Sequence, residues 1–115
     1  MNFDYTLQIV DGLKQLHLSG RLDSATSMAL EKTINTLFES KQDRALIDFS
    51  GLSYISSAGL RLILVAAKRA RQCGGRLILC GLAPTVRDVF EISGFLKIME
   101  TADSQEAAVA LLQAA

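Results

Sequence analysis

Apolar and polar positions alternate from Tyr5 to Ile9, with Tyr5, Leu7 and Ile9 on one side and Thr6 and Gln8 on the other. A period of two predicts a half-buried strand. Asp11-Gly12 follows, a hairpin signal because glycine accepts positive φ without steric cost. Leu16 and Leu18 then alternate with Gln15, His17 and Ser19, giving a returning antiparallel strand. Gly20 to Asp23 reads as a turn, and Asp23 or Ser24 can cap the helix after it. Met28, Leu30, Ile34, Leu37 and Phe38 supply that helix with an apolar side, and Glu31, Lys32 and Asn35 stay wet. Ala45-Leu46-Ile47 is a short continuous apolar run, as in a strand covered on both faces, with Asp48 and Ser50 at its carboxyl end.

Past Gly51 the chain reads as a loop leading into a helix that begins at Ser56 or Ser57 and ends near Gln72. Leu60, Ile63, Leu64 and Ala67 form its expected buried stripe, and Gly74-Gly75 stops it. Arg76 to Cys80 is another apolar strand. Pro84 suits the first turn of the next helix, where a missing N–H costs nothing. Val86, Val89, Phe90 and Ser93 line one side of that helix, and Gly94 ends it. Leu96 to Met99 reads as a last short strand, and Asp103 with Glu106 as a capping box for a final helix carrying Ala108, Val109, Leu111 and Leu112. The order β-β-α-β-α-β-α-β-α predicts an α/β fold: a mainly parallel sheet with an antiparallel N-terminal strand and about four helices.

A length of 115 residues fits one domain spanning 1–115, and with half the residues hydrophobic it has apolar material for a core without staples. Twelve basic and twelve acidic residues cancel, so no global field favours nucleic acid or an acidic membrane. Met1 to Val10 has neither the basic start nor the apolar block of a signal peptide. The longest apolar stretch, Ala58 to Ala67, is broken by Arg61 and is too short to span a bilayer. A cytoplasmic protein with no membrane insertion is expected. Cys73 and Cys80 lack a paired metal spacing, so reduced thiols in or near the core are expected rather than a zinc site or a disulfide.

Catalytic chemistry finds little support. The single histidine, His17, occupies a mid-strand position in the solvent-facing phase. The chain lacks G-x-S-x-G, the Walker lysine loop and G-x-G-x-x-G. Asp23 and Asp48 are candidate paired carboxylates, but a helix cap and a strand-end acceptor explain them as well. Arg61, Lys68, Arg69 and Arg71 make a basic helix face without interleaved aromatics, which fits solvent or protein better than nucleic acid. No enzyme, cofactor or metal is expected.

Ser56-Ser57-Ala58-Gly59 is the most informative segment. Two hydroxyls meet at a helix start, where one serves as N-cap. A phosphate on either would face unsatisfied N–H groups and the positive end of the helix dipole. Gly59 has no side chain, which would let a partner's backbone or nucleotide approach closely.

At this point the sequence resembles the STAS domain, especially bacterial anti-sigma-factor antagonists. The resemblance covers essentially the whole chain. It rests on Leu18-Ser19-Gly20-Arg21-Leu22-Asp23, Ile47-Asp48-Phe49-Ser50-Gly51-Leu52, Ile55-Ser56-Ser57-Ala58-Gly59-Leu60, Gly75-Arg76-Leu77-Ile78-Leu79-Cys80 and Val89-Phe90-Glu91-Ile92-Ser93-Gly94-Phe95 in this order. It implies a binding switch that sequesters a serine-kinase anti-sigma factor, with a phosphatase reversing the modification. The family pattern Asp-Ser-Ser/Thr-Gly-Leu places the phosphoserine on Ser57, with Ser56 as the alternative, and puts Asp23 near the partner's nucleotide. The implied docking surface comprises Arg21, Asp23 and Ser24, then Ser56, Ser57, Gly59, Leu60 and Arg61, and the corner at Ser93 and Gly94. Ser56 departs from the family's aspartate, Ala58 from its second hydroxyl, and Arg21 from a common glutamate. A second expectation from the same family is a scaffold subunit of a signalling assembly or lipid-transport complex, with no phosphorylation.

Overall fold

The computed structural model describes residues 3–114. The chain opens with a hairpin, β1 (Phe3–Val10) and β2 (Leu13–Leu22), closed by Asp11 and Gly12 at φ 53° and 77°. Two consecutive positive φ values make the tight turn whose twist matches that of the strands it joins. Then follow α1 (Ser24–Thr36), β3 (Arg44–Ile55), α2 (Ser57–Gln72), β4 (Arg76–Cys80), α3 (Pro84–Ile92), a 3₁₀ turn (Phe95–Lys97), β5 (Glu100–Ala102) and α4 (Gln105–Gln113). The sheet order is β1-β2-β3-β4-β5, antiparallel only between β1 and β2. This is the α/β architecture expected from the alternation of strand and helix patterns.

The sheet separates two apolar layers. Leu16, Leu18, Leu22, Ile47, Phe49 and Leu79 face α1, α2 and α3, where Phe49 meets Phe90 edge-on at 5.8 Å between ring centres. Leu13, Leu46, Ile78 and Cys80 face α4 through Ala108 and Leu112. Burial pushes the Cys80 thiol up to about 12, with the Asp48 charge adding to the effect, and both cysteines are free. Lys14 closes the other end of α1: its Nζ donates to the carbonyls of Thr36 and Leu37 and to Asp43 Oδ2 at 3.0, 3.1 and 3.1 Å. A cation satisfying the last carbonyls of a helix also suits its dipole.

Several boundaries differ from the sequence reading. The turn expected over Gly20 to Asp23 shrinks to Asp23, because β2 runs to Leu22. Likewise β3 continues through the expected loop to Ile55, since β2 keeps pairing with it: Ser19 with Gly51, Gly20 with Leu52, Arg21 with Tyr54, Leu22 with Ile55. Register shifts accompany this stretch, and Gly51 permits it, as a Cβ there would come within 2.9 Å of the Leu18 carbonyl oxygen. The strand expected at Leu96 to Met99 is displaced to Glu100–Ala102. Gly94, at φ 81°, turns the chain into the 3₁₀ turn, and the Arg76–Glu100 ion pair joins β4 to β5. Ser104, not Asp103, caps α4 by accepting from the Ala107 N–H at 3.1 Å.

Burial corrects other positions. In α1 the buried residues are Ser27, Leu30 and Ile34, and Met28 is 76% exposed, about 100° around the helix from Ser27. In α2 Gly59, Leu60, Leu62, Ile63, Ala66 and Ala70 are buried, and Leu64 and Ala67 are only partly so. Gln15 is buried because α4 covers it, and its Oε1 accepts from Gln105 Nε2 at 2.8 Å. Leu7 and Ile9 lie exposed on the outer strand, whereas Tyr5 packs on the core.

The α2–β4 connection is tight: Gly75 N–H donates to the Ala70 carbonyl at 2.8 Å, and a Cβ on Gly75 would overlap the Asp43 carbonyl oxygen. Both atoms belong to backbone that neighbouring bonds hold in place. Gly75→Ala is expected to cost about 2 kcal/mol or more in a urea unfolding titration.

Candidate functional site

The carboxyl ends of β2 and β3 lie side by side, and each turns into a helix within one residue. Leu22 pairs with Ile55, and the Ser56 N–H donates to the Leu22 carbonyl at 2.8 Å. Asp23 then caps α1 and Ser56 caps α2. Two helix N-termini, each with unsatisfied N–H groups and a positive dipole end, therefore open at the carboxyl ends of these two neighbouring strands.

At the first, Asp23 Oδ1 accepts from the Thr26 N–H at 3.0 Å while Thr26 Oγ1 accepts from the Asp23 N–H at 2.8 Å, a reciprocal capping box. The Thr26 backbone bond, then the Thr26 hydroxyl, hold the Asp23 carboxyl below its usual 3.8, with Arg21 adding a smaller attraction. Of the two residues the sequence offered for this cap, the aspartate takes it, and Ser24 is left exposed in the first turn.

At the second, Ser56 Oγ accepts from the Gly59 N–H at 3.2 Å. Ser56 is thus occupied as the cap. Ser57 is the first residue of α2 and is exposed, with no side-chain hydrogen bond on its hydroxyl among the described residues. Adjacent serines in the sequence acquire different roles from this geometry.

Gly59 and Leu60 face inward, Leu60 at 8% exposure. A Cβ on Gly59 would lie 2.9 Å from Ile55 Cγ1 and from Leu22 Cγ. The missing side chain therefore brings α2 down onto the ends of β2 and β3, in place of the close approach by a partner expected from sequence. Arg21 is exposed with its guanidinium carbon 4.1 Å from the centre of the Tyr54 ring, a cation–π contact. Arg61 is exposed and lines a shallow groove of about 300 Å³ between α1 and α2, beside Met28, Glu31, Ala58 and Val65. The structure therefore gathers Arg21, Asp23, Ser24, Ser56, Ser57 and Arg61 around two helix starts. Ser93 and Gly94 stand at the far end of α3 from Pro84, where Ser93 Oγ donates to the Phe90 carbonyl at 2.9 Å.

Asp48 and Asp23 are not a pair. Asp48 shares the α4-facing side of β3 with Leu46, whereas Asp23 caps α1. Asp48 Oδ1 accepts from the Ser50 N–H at 3.0 Å, and Oδ2 lies 3.1 Å from His17 Nδ1. His17 is therefore a partly buried, partnered residue and not the solvent-facing one expected. Sequence reasoning also missed Tyr54, Met28 and Val65, all exposed. Tyr54 is not legible from alternation, since Leu52 and Ile55 are buried in opposite phases of the strand.

Residues 4–108 match the STAS domain family. BtrV of Bordetella bronchiseptica, assigned to the anti-sigma factor antagonists, is 44% identical over 110 residues, covering 96% of this chain and 95% of BtrV. The anti-sigma F factor antagonist of Paenibacillus polymyxa is 28% identical over 114 residues, covering 98% and 97%. The anti-sigma factor antagonist SpoIIAA, solved unphosphorylated, superposes with a TM-score of 0.78 at 27% identity, over 97% of this chain and 99% of that one. Its phosphorylated form, from Bacillus, gives 0.71 at 26% identity, over 94% and 99%.

The division of labour between the serines has a thermodynamic signature. Ser56→Ala is expected to destabilise the fold by about 1 kcal/mol through loss of the cap, and Ser57→Ala by less than about 0.5 kcal/mol, both read from chemical unfolding. Asp23 contributes stability above its unfolded value that is lost as pH falls through its lowered folded value. Asp23→Asn keeps a cap but does not titrate, so unfolding measured from neutral pH to below about pH 4 is expected to depend less steeply on pH.

Proposed function

The chain belongs to the STAS domain family, in its anti-sigma factor antagonist branch, and on that premise we propose that it is a phosphorylation-controlled protein-binding switch acting on a serine-kinase anti-sigma factor. The observation that carries this reading is the exposed Ser57 hydroxyl beside a Ser56 hydroxyl already used as the cap. A kinase can take Ser57 without dismantling the helix start. Transfer moves the γ-phosphoryl of ATP from its β-phosphate oxygen to Ser57 Oγ, the hydroxyl proton passes to a base on the kinase, and ADP leaves. A phosphatase returns the serine by hydrolysis. Ser56 replaces the family's aspartate with an equally good N-cap, so the cap is kept and one negative charge is lost.

The unmodified protein docks through the Arg21–Ser24 corner and the exposed first turn of α2, with Arg61 and the α1–α2 groove at the margin. Gly59 and Leu60 act from behind this surface by seating the helix. A phosphate on Ser57 adds about −1.5 to −2 charges within it. Like charge brought into a docked interface costs several kcal/mol, enough to release a moderate complex. On the free protein the same group sits at the positive end of α2, which favours it by about 0.3–1 kcal/mol. The phosphorylated state is thus stable by itself and disfavoured in the complex. We place this activity in the cytoplasm, where ATP and sigma factors are found. Among the described residues no helix is long and apolar enough to cross a membrane.

The test uses the host's kinase anti-sigma factor with ATP. Phosphate incorporation is expected into wild type and Ser56→Ala, and none into Ser57→Ala. Ser57→Asp is expected to bind the kinase more than about 100-fold more weakly. Equal binding by Ser57→Asp and wild type, with no phosphate on either serine, would overturn the switch in favour of a constitutive scaffold.

A further inference from the structure

The two edges of the sheet differ sharply. β5 is three residues long and is tied to β4 by the Arg76–Glu100 ion pair. β1 is eight residues long, pairs with β2 without a register break, and contains no lysine, arginine or proline. Natural edges are usually blunted by shortness, charge, proline or bulges, and β1 has little of this. Its charged residue, Asp4, accepts from the Tyr5 N–H at 2.9 Å. Leu7 is 37% exposed and Ile9 65% exposed. On this side of the sheet α1 packs over β2 and meets β1 through the Thr33–Tyr5 hydroxyl bond, which leaves the outer rim of β1 open.

The backbone polarity of the edge follows from the hairpin. Val10 and Leu13 close the two-residue turn as a hydrogen-bonded pair, so the even-numbered residues of β1 bond inward to β2. Phe3, Tyr5, Leu7 and Ile9 therefore aim their N–H and C=O groups outward, as the Tyr5–Asp4 bond illustrates. We infer that β1 pairs with β1 of a second copy as a symmetric antiparallel dimer centred on Thr6.

Symmetry selects both the occupant and the register. A two-fold axis at Thr6 sets Phe3 opposite Ile9 of the second copy, Tyr5 opposite Leu7, Asp4 opposite Gln8, and Thr6 opposite Thr6. Apolar residues meet apolar ones on the helix-covered face, and polar residues meet polar ones on the other. The two Asp4 carboxylates stay about 14 Å apart along the strands. Centring on Leu7 would set Asp4 against Val10 and Phe3 against Asp11, and centring on Tyr5 would leave Ile9 uncovered. The strand is thus complementary to itself in one arrangement, as an isologous interface requires. The Tyr5 N–H exchanges the Asp4 carboxylate for the Leu7 carbonyl of the second copy. The edge lies two strands from β3, so both Ser57 hydroxyls remain exposed in the dimer.

An edge contact is small, so association is expected between about 10 µM and 1 mM. Sedimentation velocity across that range is expected to show a reversible monomer–dimer equilibrium. Ile9→Lys, which sets a charge against Phe3 of the second copy, is expected to weaken it more than about tenfold, and circular dichroism reports whether that variant remains folded. Thr6→Cys tests the register: its Cα atoms lie about 4.5 Å apart in a non-hydrogen-bonded pair, within disulfide reach. A disulfide dimer is expected from Thr6→Cys and not from Gln8→Cys under mild oxidation. A chain that stays monomeric throughout, with no Thr6→Cys dimer, overturns the proposal. So do equal yields from the two cysteine variants, or a dimer that Ile9→Lys leaves unchanged.

Discussion

The parallel pairing of Leu22 with Ile55, continued by the Ser56 N–H bond to the Leu22 carbonyl, is the constraint on which the rest of this structure depends. Both side chains are buried, at 0% and 4% exposure, each favouring the arrangement by about 1.5–3 kcal/mol. Because the strands end in register, α1 and α2 begin in register. Because Gly59 lacks a Cβ, α2 begins close against both strand ends. A shift of one residue between β2 and β3 would turn apolar side chains to the wrong face and separate the two caps.

From that constraint follows a separation of structural and chemical work between neighbouring residues. Asp23 and Ser56 satisfy helix N–H groups, whereas Ser24 and Ser57 stand one residue further on and face solvent. A capping residue cannot be modified without exposing the groups it satisfies, but the residue after it can. The positive helix end that makes the cap useful also makes the next hydroxyl a favourable seat for an anion. The electrostatics thus come from the backbone, which fits a chain whose formal charges cancel.

The two faces of the sheet divide the remaining tasks. One carries the larger core and α1, α2 and α3, the first two of which shape the candidate site. The other carries α4 over one end, with the partly buried Gln15–Gln105 bond, and the His17–Asp48 contact beyond it. The edges divide similarly: β5 is short and tied, and β1 is long and open. The proposed docking surface at the helix starts and the open edge at the first strand are therefore geometrically independent.

The sequence by itself determined the order of strands and helices, the hairpin at Asp11-Gly12, the proline start of α3 and the stretch that holds the candidate site. Each of these depends on local φ/ψ preference or on periodicity within one element, which neighbours in the chain suffice to set. Tertiary structure decided that Ser56 caps and Ser57 is exposed, that Gly59 and Leu60 are internal, that β3 extends to Ile55, and that His17 meets Asp48. It also decided that Leu7 and Ile9 remain outside, although their alternation matches that of a covered strand. Alternation says which side chains share a face. Only packing says what, if anything, lies over that face.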